Sequence, residues 1–148
     1  MDALSNASLG QVSQPVPGYD RATIRAGMLH FGVGNFFRAH QAAYLDRLMN
    51  AGLAHDFGIV GAGVMPGDVR MRDTLAGQDY LYTLVEQSAE ASHARVLGPI
   101  IDFIAPGDVA RLIGTMVAPA IRIVALTITE GGYFIDATTG HFNPAHPA

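Results

Sequence analysis

A short apolar run, Ala26-Gly27-Met28-Leu29-His30-Phe31, ends in Gly32-Val33-Gly34 and passes straight into Asn35-Phe36-Phe37-Arg38-Ala39-His40, which is free of proline and glycine. Few folds accept that succession. A strand that stops at Gly-x-Gly and feeds a helix aims the unpaired N–H groups of the first turn beyond the strand end, where they stabilise an anion. Gly32 is expected to make the tight turn and Gly34 to let the backbone approach a pyrophosphate. The third glycine of the usual dinucleotide fingerprint is absent. Phe37 occupies its place, and Arg38 follows as a fixed positive charge suited to phosphate.

The alternation of elements after this point suits one α/β domain. The segment from about 36 to 50 is read as one helix, with Phe37, Tyr44, Leu45, Leu48 and Met49 at helical spacing and Asn50-Ala51-Gly52 as its stop. Residues 57–64 form a second short buried strand. It also carries Gly-x-Gly, at Gly61 and Gly63, but Pro66 and Gly67 follow at once, so a helix there starts too late to aim donors at the glycines. Asp68 opens a short helix running to about Ala76. Two readings of it stand: a carboxylate accepting from an adenosine ribose and disfavouring a 2′-phosphate, or a helix N-cap.

Residues 78–86 and 94–97 read as the arms of a β-hairpin, with Asp102 to Ile104 prolonging the second arm. Pro106-Gly107-Asp108 starts the clearest helix of the chain, in which Val109, Leu112, Ile113, Met116 and Val117 follow the i, i+3, i+4 pattern up to Pro119. The β-branched run from Ile121 to Ile128 is expected to be a strand buried on both faces. It ends in Thr127-Ile128-Thr129-Glu130-Gly131-Gly132-Tyr133. In an open parallel sheet ligands bind beyond the carboxyl ends of the strands, so this loop is expected to meet the Gly32 loop and Asp68 at one crevice. Thr127 and Thr129 offer hydroxyls there and Glu130 a carboxylate; a polar turn with glycines for positive φ is the competing reading.

Composition removes other classes. A net charge of −4 with no basic run gives no footprint for nucleic acid or an anionic membrane surface. There is no cysteine, and all nine basic residues are arginine, which excludes thiolate chemistry and any lysine base or Schiff base within these 148 residues. No His-x-x-x-His spacing suggests a metal site, and no Gly-x-Ser-x-Gly turn suggests a nucleophilic serine. Residues 1–20 are rich in Ser, Asn, Gln and Pro and are read as an extended arm rather than a signal peptide. Residues 21–148 are read as the nucleotide-binding domain, and the expected location is the cytoplasm.

The stretch from Phe31 to Ala42 resembles the N-terminal signature of the polyol-specific long-chain dehydrogenases, the mannitol dehydrogenase family. Two further blocks are similar to that family, Leu75 to Leu84 and Leu126 to Tyr133. Phe37 is a departure, since members often carry His at that place. The resemblance implies a Rossmann-like α/β fold with a mainly parallel sheet, an inserted β-hairpin and a truncated C-terminal side. It implies NAD-dependent hydride transfer between a polyol and a ketose, such as mannitol and fructose. A sugar-acid reductase of the same family, such as a fructuronate reductase, and a non-catalytic NAD-binding module are the alternatives. The cofactor-binding residues it implies are Phe31, Gly32, Val33, Gly34, Asn35, Phe36, Phe37, Arg38, Asp68, Thr127, Thr129 and Glu130, with NADH preferred over NADPH. The family's catalytic base is a lysine in a helical C-terminal domain, aided by asparagine and histidine. No catalytic residue is therefore assigned here, and that domain of the same polypeptide is the expected partner. Glu130 is a poor substitute, because an ordinary carboxylate is too weak a base for an alcohol proton.

Overall fold

The computed structural model describes residues 4–128, 130–136 and 138–145. Four parallel strands form its sheet: β1 (Ala26–Phe31), β2 (Gly58–Ala62), β5 (Ile100–Ile104) and β6 (Ile123–Leu126), in the spatial order β5-β2-β1-β6. The chain moves outward from β1 to β2 and β5, then returns to place β6 on the other side of β1. That reversal leaves a switch point between β1 and β6, where an open sheet offers a crevice to ligands. The strands are nearly level at their carboxyl ends, with Phe31 beside both Ala62 and Leu126.

The helices divide between two faces. On one face α1 (Asn35–Ala39), α2 (Gln41–Asn50) and α3 (Asp68–Ala76) pack with the hairpin of β3 (Tyr82–Gln87) and β4 (Ser92–Leu97). Met28, Phe37, Ile59, Leu75, Leu97 and Phe103 form the centre of that core. On the other face α4 (Val109–Met116) supplies Leu112 to a smaller cluster of Leu29, Val60, Ala62 and Ile104. Asp108 caps α4, its carboxylate accepting from the Arg111 N–H at 3.2 Å.

Several expectations change. The single helix over 36–50 is two, because His40 departs from helical geometry at φ −117° and ψ −84°. The buried side of α2 is Ala42, Ala43, Asp46 and Met49, while Tyr44 and Leu48 face outward. Residues 100–104 do not prolong the hairpin: they are β5, paired in parallel with β2. Apolar alternation cannot reveal that the chain leaves one sheet for the other at Gly98-Pro99. The strand expected to be buried on both faces is an edge among the described residues, with Ile123, Val124 and Leu126 exposed. The stripe of α4 is likewise mostly open, since Val109, Ile113, Met116 and Val117 are exposed and Leu112 carries the contact.

The N-terminal arm is tied down by polar groups. The Pro15 carbonyl accepts from Val96 N–H at 2.8 Å. Arg21 donates to the carbonyls of Gly98, Ile100 and Asp79. Buried Asp46 accepts from the Tyr19 hydroxyl at 2.7 Å and the Gly98 N–H at 3.1 Å through Oδ1, and from Asn50 and Arg95 through Oδ2. Burial and the Asp46 carboxylate push the Tyr19 phenol far above its usual range, so it remains a donor.

Candidate cofactor crevice

Gly32 leaves β1 at φ +76°, a left-handed conformation that an L side chain rarely adopts, and its N–H donates to the Ala62 carbonyl at 2.8 Å. The turn is thereby stitched to the end of β2. Val33 is buried beneath it. Gly34 is the N-cap of α1, and the first bond of that helix runs from the Arg38 N–H to the Gly34 carbonyl. A glycine cap has no side chain to offer the N–H groups of Asn35, Phe36 and Phe37, which therefore remain donors. A Cβ placed on Gly34 meets nothing within 4 Å, so the backbone here borders open space.

The second Gly-x-Gly works differently. A Cβ on Gly61 would lie 2.5 Å from Val33 Cγ2, and one on Gly63 would lie 2.6 Å from the ring of Pro106. These glycines are packing sites that let neighbouring chain approach β2. Close packing accounts for both glycines without a phosphate.

The side chains of the first loop separate into two groups. Phe37 points inward and is buried, its ring stacked on His30 with centroids 3.6 Å apart. Phe31 is half-buried at the strand end, and Phe36 is exposed and stacked on His40. Arg38 donates to Asn35 Oδ1, and its guanidinium lies over the Tyr82 ring, 5.7 Å from the centroid. Its Nε is buried with no partner among the described residues. Tyr82, whose phenol burial holds well above its usual range, donates to the Arg38 carbonyl at 2.8 Å and so braces the end of α1.

Asp68 lines the same region from the start of α3. Arg38, Asp68, Arg70, Thr74, Gln78 and Tyr82 line a groove of about 340 Å³. The N-cap reading of Asp68 is corrected. The N-cap is Gly67, and Asp68 is the first residue of α3. Its Oδ2 instead reaches back to accept from the N–H groups of Val64 and Met65 at 2.8 and 2.9 Å. Oδ1 makes no hydrogen bond among the described residues. The third loop brings Thr127, exposed just beyond β6, with its hydroxyl 3.4 Å from His30 Nε2. Thr129 lies outside the described residues, and Glu130 begins a short 3-10 turn ending at Tyr133. A larger hollow of about 610 Å³ lies under the arm beside Arg21, away from all three loops.

His30 and Tyr82 are the members that sequence reading passes over. A histidine inside an apolar strand is the one visible signal for the first. The second reads as an ordinary strand aromatic.

Comparison with known proteins places these features in a family context. Residues 26–148 match the family model described as the mannitol dehydrogenase Rossmann domain. Mannitol 2-dehydrogenase of Cereibacter sphaeroides is 52% identical over 132 residues, covering 88% of this chain and 28% of the relative. The enzyme of the same name from Emericella nidulans is 44% identical over 147 residues, covering 98% and 29%. The structure of Pseudomonas fluorescens mannitol 2-dehydrogenase in a ternary complex with NAD and D-mannitol superposes with a TM-score of 0.86 at 44% identity, over 99% of this chain and 30% of that one. A D-sorbitol dehydrogenase in substrate-free form gives 0.82 at 38% identity, over 96% and 30%. The chain thus spans about three-tenths of the length of the proteins it matches.

Proposed function

Because this chain belongs to the mannitol dehydrogenase Rossmann-domain family, we propose that it is the NAD-binding portion of a polyol dehydrogenase. The observation that carries the reading is the Gly32 turn at the β1–β6 switch point, opening onto the uncapped N–H groups of α1. The chain's own groups fit the cofactor. Gly34 borders free space that a dinucleotide can fill, and the Arg38 side chain lines the groove beside it. The backbone N–H groups of Gly34, Asn35 and Phe36 hold the pyrophosphate, on a turn shaped by Gly32 and seated on buried Val33. Arg38 adds charge, and Asp68 Oδ1 accepts from the adenosine ribose. Phe37 supports the loop from below beside Phe31 at the strand end, and Thr127 borders the other end of the crevice. When bound, NAD supplies the hydride-transfer chemistry, with a polyol and its ketose as the substrate pair.

The 148 residues contain no lysine, so on this reading a lysine base comes from outside them. Titration of the chain with NADH and NADPH tests the reading: NADH is expected to bind more tightly. Asp68→Ala is expected to narrow the ratio of the two dissociation constants by about tenfold, the value of one charge-assisted contact. An unchanged ratio removes Asp68 from the ribose site. No binding of either cofactor removes the proposal.

A further inference from the structure

His30 is wholly buried, yet it touches two of the three loops that build the crevice. Its Nδ1 lies 2.7 Å from the Gly32 carbonyl, and its Nε2 lies 3.4 Å from the Thr127 hydroxyl, 97 residues away in sequence. The ring is stacked on Phe37, centroids 3.6 Å apart. A carbonyl only accepts, so Nδ1 must carry the hydrogen. In a neutral imidazole Nε2 is then an acceptor, and the Thr127 hydroxyl must donate to it. That donation uses the only proton of the hydroxyl. Its oxygen lone pairs are left for whatever occupies the crevice.

We propose that His30 is a positioning residue: by holding the Gly32 carbonyl and taking the Thr127 proton, it turns the Thr127 oxygen into a dedicated acceptor for an N–H or O–H donor of the cofactor. This rests on the NAD-binding reading above. Two groups of a nicotinamide nucleotide carry such a donor, the carboxamide NH2 and the ribose hydroxyls. Burial opposes protonation of the imidazole, which keeps this polarity through the neutral range. A threonine without the histidine behind it can donate or accept and so discriminates less.

The test combines nitrogen NMR of the His30 ring in the free chain with binding of NADH and of 3-acetylpyridine adenine dinucleotide (reduced form), whose acetyl group lacks the NH2. The Nδ1–H tautomer is expected, with its Nε2 signal displaced in Thr127→Val. Thr127→Val and His30→Asn are each expected to weaken NADH by about fivefold, the value of one net hydrogen bond, and the double variant by no more than either alone. His30→Asn keeps a donor for Gly32 but loses the reach to Thr127, so His30→Gln, which can reach Thr127 with its amide oxygen, should recover part of the loss. If the carboxamide is the donor, the wild-type preference for NADH over the acetyl analogue disappears in Thr127→Val; if a ribose hydroxyl is, both ligands weaken together. Should His30→Asn fail to fold, the exposed Thr127→Val carries the test by itself. An Nε2–H tautomer, multiplicative losses in the double variant, or unchanged NADH affinity in Thr127→Val overturns the role of His30. A chain with the expected tautomer that binds no NADH overturns the cofactor reading instead.

Discussion

Replacing Asp46 by Ala is the most demanding test of how this fold is held together. The carboxylate is 1% exposed and is the common acceptor for the arm, α2 and the end of the hairpin. Alanine leaves the Tyr19 hydroxyl and the Gly98 N–H, both buried, without an acceptor. Each such loss costs about 1–3 kcal/mol. Arg95 loses its buried partner as well, although Glu86 lies 3.7 Å from its Nε and offers an alternative. Relief of the carboxylate's own desolvation offsets part of this, leaving roughly 3–5 kcal/mol, the usual cost of breaking a buried charged cluster from one side. A domain of this size is stable by about 5–15 kcal/mol, so the variant is expected to melt far below the wild type. Urea unfolding of the two chains, followed by circular dichroism and by tyrosine fluorescence, measures the difference. Asp46→Asn, which keeps an acceptor at Oδ1, should recover at least half of it. A loss below about 1 kcal/mol for Asp46→Ala would refute the reasoning, because the four contacts would then be geometric coincidences rather than the clamp of the arm.

Other expectations separate the crevice from the scaffold. Gly34→Val has open space for its side chain and costs the fold at most about 1 kcal/mol at the helix cap, yet it should weaken NADH by more than tenfold; retained affinity would mean that the phosphate loop is elsewhere. Gly63→Ala should do the reverse, losing about 1–3 kcal/mol of stability against the Pro106 ring while a folded fraction binds NADH as before. The pH dependence follows from His30, whose imidazole burial holds below its ordinary value of 6.5. Above that pH both states carry it neutral. As pH falls below it, the unfolded chain takes up a proton that the native state refuses, so stability drops until the lower native value is reached. A melting series from pH 7.5 to 5 should show this drop reduced in His30→Asn, and parallel curves for the two chains would contradict it.

What the sequence by itself determines is local. The Gly32 turn, the strand before it, the cap at Asp108 and the stop at Gly52 each depend on residues within a few positions of one another, and backbone sterics dictate them whatever surrounds the segment. Sheet neighbours are another matter. That β5 joins β2 instead of extending the hairpin, that β6 is an edge among the described residues, and that the α4 stripe meets the core mainly through Leu112 depend on how separated segments pack. An apolar pattern reports which side chains avoid water, not which partner covers them. The same limit holds in the crevice. Gly32, Gly34 and Arg38 announce themselves by spacing, whereas Asp68 bonding back to Val64 and Met65, Tyr82 bracing Arg38, and His30 joining Gly32 to Thr127 exist only because tertiary packing closes the distance. Buried polar groups must find partners, and in this chain those partners are supplied from far along the sequence, where no local signal reaches.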